Sequence, residues 1–268
     1  MKTLRHAAIM LLAGLYVAGL AASWLAPAGY AAQVRDTISA PPSRVFLLGT
    51  DELGRDSFAR LLYGSRISLT LAPGAALLAT IIAAAAGVTA GYAGGWIEAC
   101  LMRLADLFLS VPWLFLLLTV RAVLPLNVPP AESVGVTFLL LGLLGWAGPA
   151  RVIRSAVHEI KNEDFMIQAR ARGCRPLRLL GRHLAPNLRP ILAAQFWTSV
   201  PVFILSEANL SFLGLGVAEP LPSWGNLLAG LQNLDSVTAS PWRLAPLVLL
   251  VVVMTCFHLV VPLEDFSK

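Results

Sequence analysis

Lysine stands at only three positions, Lys2, Lys161 and Lys268, and none follows a glycine. A phosphate-cradling Walker A loop must end in Gly-Lys-Ser/Thr so that the lysine and the hydroxyl reach phosphate and metal, so ATP hydrolysis has no seat here. The four histidines, His6, His158, His183 and His258, form neither an i, i+4 pair nor an HExxH, and no GxSxG elbow occurs. The sequence therefore offers no catalytic residues, no metal site and no cofactor site. Cysteine is equally scarce: Cys100, Cys174 and Cys256 are odd in number, lack CxxC spacing and read as reduced structural residues. The deepest shortage is charge. Only 13% of the 268 residues are charged while 57% are hydrophobic, and the mean hydropathy is +0.73. Such a chain cannot cover a soluble surface; it belongs in a membrane.

A transmembrane helix needs about 20 predominantly apolar residues. Six runs meet that need, roughly Ala7 to Ala26, Ile67 to Tyr92, Ala99 to Leu124, Gly135 to Val157, Leu188 to Phe212 and Leu244 to Val261. The expected fold is all-α, a polytopic bundle of about six transmembrane helices. Its expected organisation is a first helix over 1–26, an external segment with an amphipathic helix over 27–66, a core of five helices over 67–263 and a short cytoplasmic tail over 264–268. The first run also fits a cleavable signal peptide, with a basic start and a small-residue end, but its apolar core exceeds the usual length and favours retention.

The net charge of +5 does not point to nucleic acid, because the basic residues sit in loops beside apolar runs. Lys2 and Arg5 precede the first run; Arg151 to Arg189 surround the loop between the fourth and fifth. Loops rich in lysine and arginine stay cytoplasmic, and an even number of intervening spans puts both on that side. Membrane lipid is thus an expected partner. Arg35, Arg44, Arg55, Arg60 and Arg66 in the segment expected to be external do not fit this pattern.

Several single features carry local expectations. Gly87, Gly91 and Gly95, spaced by four, share one face for close helix approach, as do Gly142, Gly145 and Gly148. Thr50 or Asp51 is suited to cap a short helix whose Phe58, Leu61 and Leu62 lie on the membrane surface. Asp106 is expected to pair with Arg103 or with an arginine of the central loop, and Trp224 and Trp242 to anchor at an interface. Glu207, deep in the fifth run, admits two readings. It is a pathway or gate residue, or a carboxylate bonded to backbone or a neighbouring helix.

The strongest signal is the loop from Asn162 to Asn187, NEDFMIQARARGCRPLRLLGRHLAPN, within a segment 158–188. Glu163 and Asp164 suit the start of a helix. Gly173 suits a left-handed stop. Pro176 suits the first position of a second helix. On that second helix Arg175, Arg178 and Arg182 share one flank and Leu177, Leu180 and Leu184 another, giving a helix-turn-helix knob with one flank to bury. Its spacing resembles the cytoplasmic coupling loop of bacterial ABC importer permeases, with Gln168-Ala169-Arg170, Gly173 and His183-Leu184-Ala185-Pro186 in the places of EAA, Gly and I-x-L-P.

With LGTDELGRDSFARLLYGSRISL near residue 50 and SEANLSFLGLGVAEPLPSWGNLL from Ser206 to Leu228, the loop is similar to the C-type permease of the dipeptide/oligopeptide/nickel ABC importer family. The likeness runs from about Leu47 to about Val261. It implies a type I importer permease fold and a subunit forming half of a peptide pathway. The implied partners are a homologous second permease, two ATP-binding ATPase subunits and an external solute-binding protein, in a bacterial inner membrane. Gln168, Ala169, Arg170, Gly173, Arg178, Arg182, His183, Pro186 and Asn187 would then contact the ATPase, while Gly49, Thr50, Asp51, Gly54, Arg55 and Asp56 form an external family motif. Nickel or another metal complex is the alternative cargo. An ion-coupled secondary transporter is a further alternative, weakened by Glu207 being nearly the sole acid inside the late spans.

Overall fold

A computed structural model describes residues 2–125, 128–232 and 240–260. The expected tail, 264–268, lies outside the described residues. α1 (Lys2–Leu20) and the short α2 (Ala22–Leu25) are followed by a loop-rich segment. Then come α3 (Ser57–Ala93), α4 (Gly95–Ser110), α5 (Trp113–Val123), α6 (Pro130–Leu144) and α7 (Ala147–Lys161). α8 (Asp164–Ala171), α9 (Pro176–Leu179) and a π-helical turn (Leu180–Leu184) lead into α10 (Ala185–Phe212). α11 (Trp224–Ala229) and α12 (Ala245–Val260) complete the described bundle. Among the described residues, five stretches are long and apolar enough to cross a membrane. The sixth, α4 with α5, is broken by an 88° bend.

The elements meet at two opposite ends. At one, Lys161 Nζ donates to the last carbonyls of α3, Gly91 at 3.3 Å and Tyr92 at 3.1 Å, so the ends of α3 and α7 meet there, where α7 runs on into α8. At the other, Trp224 Nε1 donates to Ser65 Oγ at 3.0 Å, and Gly19 approaches the backbone of Arg66. That joins the end of α1, the start of α3 and α11.

Lipid tails are as apolar as leucine, so helices associate through close packing rather than through water exclusion. α3 supplies the closeness with small residues: Ala72, Ala75, Ala76, Ala79, Ala83, Gly87, Ala90 and Gly91 are all buried. A β-carbon on Gly87 would stand 2.6 Å from the carbonyl oxygen of Ala150, and one on Gly91 2.7 Å from Val157 Cβ. Gly95 is not part of that face. It opens α4 after Gly94, and both have positive φ, 68° and 58°. Of the second glycine set, Gly142 meets α3 and Gly145 meets Phe203, while Gly148 approaches nothing.

Two other expectations change. The residues expected to form a separate surface helix are the first turns of α3, whose N-cap is Asp56 accepting from Phe58 N at 2.9 Å. At about 1.5 Å per residue its 37 residues reach about 55 Å, against a hydrocarbon core of about 30 Å, so α3 overhangs the membrane instead of lying on it. The third span is not one helix, because Pro112 lacks an N–H and restricts Val111 to extended backbone, φ −94° and ψ 130°.

Candidate functional site

At the arginine-rich end, α8 begins after Glu163, in extended conformation, and buries Met166 completely. It ends in a paired stop: Gly173 N–H donates to Arg170 O at 2.9 Å and Cys174 N–H to Ala169 O at 3.1 Å. This Schellman geometry requires the left-handed residue that Gly173 supplies at φ 75°. Arg175, held extended by the following proline, precedes Pro176 at the start of α9. The chain does not stop there. α9 runs through the π turn into α10 as one stretch from Pro176 to Phe212.

The π turn decides which side faces inward. Ala185 N–H donates to Leu180 O, one residue further back than in an α-helix, and Pro186 follows where no N–H is available. Asn187 Nδ2 bonds His183 O at 2.7 Å beside the gap. The extra residue turns the preceding helix by about 100° relative to a continuous α-helix. Leu179, Leu184 and Leu188 consequently share the buried side, while Leu177 is 84% exposed. The expected flank of Leu177, Leu180 and Leu184 is thus corrected: Leu180 is half-buried and Leu177 projects outward.

The outward face carries Gln168, Arg170, Arg175, Arg178, Arg182, Pro186 and Asn187, with Ala169 half-buried. Phe165, Ile167 and Leu177 add exposed apolar surface among them. His183 is half-buried against Phe165, with ring centroids 6.5 Å apart, which braces the π turn on α8. Asp106 pairs with neither Arg103 nor a loop arginine but with Arg151 of α7, at 3.3 Å.

At the opposite end the GTDELGRD motif folds into a compact ionic knot. Buried Thr50 accepts from Ala40 N–H at 2.9 Å and donates to Thr37 O. Asp51 accepts the N–H groups of Leu53 and Arg55, both at 2.9 Å, and the Arg55 side chain at 2.6 Å. Gly49 and Gly54 hold positive φ, 65° and 71°. The knot reaches across the sequence to Glu219, which accepts from Arg55 Nη1 at 2.7 Å and from Arg60 Nη2 at 2.8 Å. Sequence reasoning placed Glu219 within a motif but gave neither it nor Arg60 a role; the joining of the two motifs is visible only in three dimensions. A cavity of about 450 Å³ opens beside the knot, lined by Asp51, Arg60, Glu219, Asn226 and Trp242 among others.

Burial pushes the Glu219 carboxyl up, but Arg60 and then Arg55 outweigh it and hold it below the usual carboxylate value of 4.5. A depressed value stabilises the fold above the unfolded value and ceases to do so as pH falls through the folded one. We expect the detergent-solubilised protein to lose thermal stability as pH drops through the acidic carboxylate range, and Glu219→Gln to flatten that part of the curve. An unchanged pH profile in Glu219→Gln would remove Glu219 from the knot.

Glu207 is fully buried. Its Oε1 accepts from Ser211 Oγ, one turn further along the same helix, at 2.6 Å. Gly225 of α11 lets its backbone approach α10 closely, since a β-carbon there would stand 2.6 Å from Ala208 Cα. Trp224, expected at an interface, is instead fully buried against α3, with its N–H groups directed to Ser65 and Ser68.

Residues 79–263 match the family described as "Binding-protein-dependent transport system inner membrane component". The chain is 35% identical over 204 residues to the oligopeptide transport system permease protein OppC of Bacillus subtilis, a match covering 76% of this chain and 64% of that protein. It is 33% identical to the dipeptide transport system permease protein DppC of the same organism, covering 89% and 72%. It is 30% identical to OppC of Haemophilus influenzae, covering 95% and 80%. The chain thus spans slightly under two thirds of the first of these proteins and more of the other two.

Proposed function

The chain belongs to the family of binding-protein-dependent transport system inner membrane components, and from that membership we propose that it is one of two permease subunits of an ABC importer for short peptides. Peptide cargo rests on the names of its relatives, the oligopeptide and dipeptide permeases. ATP is hydrolysed by two separate subunits, and an external binding protein delivers cargo to the end bearing the Glu219 knot. The bundle resides in a bacterial inner membrane with the arginine-rich end in the cytoplasm.

The observation that carries this reading is the outward face of α8, α9 and the π turn. A solvated loop has no need for an 84% exposed Leu177 between exposed arginines, and a partner protein does. The Schellman stop at Gly173 fixes α8 against α9, and α9 continues into α10, so a push on the face moves a transmembrane helix as a rod. Gln168, Ala169, Arg170, Gly173, Arg178, Arg182, His183, Pro186 and Asn187 form this contact. α10 and the α4–α5 elbow wall a cleft of about 460 Å³ with no charged lining residue, including Trp113, Gln195, Thr198 and Phe203. This cleft is the chain's side of the passage.

Reconstitution tests the reading. The purified chain in liposomes should neither hydrolyse ATP nor accumulate a labelled tripeptide, and both activities should appear with the sister permease, ATPases and binding protein. Gradient-driven uptake by the single chain would favour a secondary transporter and overturn the proposal.

A further inference from the structure

α4 is poorly anchored by packing: Ala105 is its sole fully buried residue. It is held instead by charge. Glu98 Oε1 accepts from Arg154 Nε at 2.6 Å, from Arg154 Nη2, and lies 3.0 Å from His158 Nε2. Two turns further along, Asp106 meets Arg151. Arg151, Arg154 and His158, three and four residues apart, form one stripe of α7. The Asp106 pair is more than half exposed on both sides and is worth little. Glu98 is the stronger clasp, with its side chain 17% exposed.

Both ends of α4 are built to pivot. Gly94 and Gly95, with consecutive positive φ and no close neighbour to a β-carbon, separate it from α3. The 88° elbow at Val111–Pro112 separates it from α5. Beyond the elbow, Trp113 Nε1 donates to Ser206 Oγ of α10 at 2.7 Å and its ring stacks on Phe203. At the other end of the route, α7 reaches α8 through Asn162 and Glu163, and Asn162 Nδ2 bonds His158 O at 3.0 Å.

We propose that Glu98 is a coupling residue: it clasps α4 to the last two turns of α7, so that displacement of α8 and α9 carries α4 along with the packed α3–α7 pair and moves the Trp113 elbow at the passage wall. This rests on the proposed ATPase contact. Without the clasp, α4 turns about Gly94–Gly95 and the elbow stays behind.

The test uses the full complex with sister permease, ATPases and binding protein in liposomes, with labelled tri-alanine as cargo. Glu98→Ala should lower tripeptide moved per ATP hydrolysed about tenfold, within the usual range for a residue on a coupling route, while ATPase retention stays normal. The double variant Glu98→Arg with Arg154→Glu should recover most of that ratio. Spin labels on Leu104 and Val152, in a background with Cys100, Cys174 and Cys256 replaced by serine, supply a readout independent of cargo. Their separation should be unchanged by vanadate trapping in the native clasp and should shift in Glu98→Ala. An unaltered ratio in Glu98→Ala, a proportionate fall of uptake and hydrolysis, or identical label separations in both proteins would overturn the proposal. A wild-type complex that hydrolyses ATP but moves no tripeptide counts against the peptide reading alone, since the label separations still report on the clasp.

Discussion

Reversing charge at Arg178 and Arg182 together, Arg178→Glu with Arg182→Glu, is expected to weaken binding of the purified ATPase about 100-fold. Both side chains are exposed, and neither makes an ion pair among the described residues, so the fold loses nothing by their replacement. An ATPase groove shaped for two arginines would instead meet two carboxylates. Like charges brought together across an interface cost several kcal/mol, and about 1.4 kcal/mol is tenfold in affinity. Part of the effect should fade with added salt, since the residues sit at an exposed rim. Binding of immobilised permease to ATPase at two ionic strengths measures it. Undiminished binding would assign these arginines to lipid headgroups and take the docking face away from the proposed function.

The face proposed for docking also separates what is legible in the sequence from what is not. Gly173, Pro176 and the acidic start of α8 are local signals, each tied to its own backbone geometry, and they place the turn correctly. The phase of the second helix is another matter. A continuous 3.6-residue period puts Leu177 on the buried side, and only the π turn before Pro186 puts Leu179 there instead. The cue was Pro186, a proline inside an otherwise helical pattern, which removes one backbone N–H and is compatible with an inserted residue. Long-range partners were out of reach altogether. Asp51 was read as a cap, whereas its carboxylate organises a knot completed by a residue 168 positions later, Glu219. That knot also accounts for Arg55 and Arg60, two of the five arginines at odds with the charge pattern, since both are neutralised in place.

Composition gave the number of spans but not their continuity. Pro112 breaks the third because Val111 must be extended, while Pro73 and Pro201 remain inside α3 and α10. A proline is tolerated where neighbouring helices hold the helix straight. α4, with little buried surface, has no such support. Weak packing, the double glycine and the broken helix thus belong to one mobile segment of the bundle, and the ionic clasp at Glu98 supplies what packing does not.

The rigid counterpart is the contact of α3 with α7, where Gly87→Leu together with Gly91→Leu is expected to remove the protein from the membrane fraction. The added side chains have no room. A single β-carbon at Gly87 already falls 2.9 Å from Ile153 Cβ, and one at Gly91 lies 2.9 Å from the carbonyl oxygen of Arg154. Overpacking a fitted core costs ~1–3 kcal/mol per site when side chains give way, and here backbone must give way as well. Two such sites consume much of a typical stability of ~5–15 kcal/mol. Displacing α7 would also pull Arg154 from Glu98 and Lys161 from the end of α3, so the damage spreads to the clasp. Gly74→Leu on the same helix is the control. Nothing lies within 4 Å of its β-carbon position, and leucine favours helix over glycine by up to about 1 kcal/mol. Immunoblots of membrane fractions and melting curves of the solubilised proteins should therefore separate the two substitutions sharply. Equal amounts and equal stability would mean that α3 and α7 are not packed at Gly87 and Gly91, and α7 could not then carry motion from the docking face into the bundle.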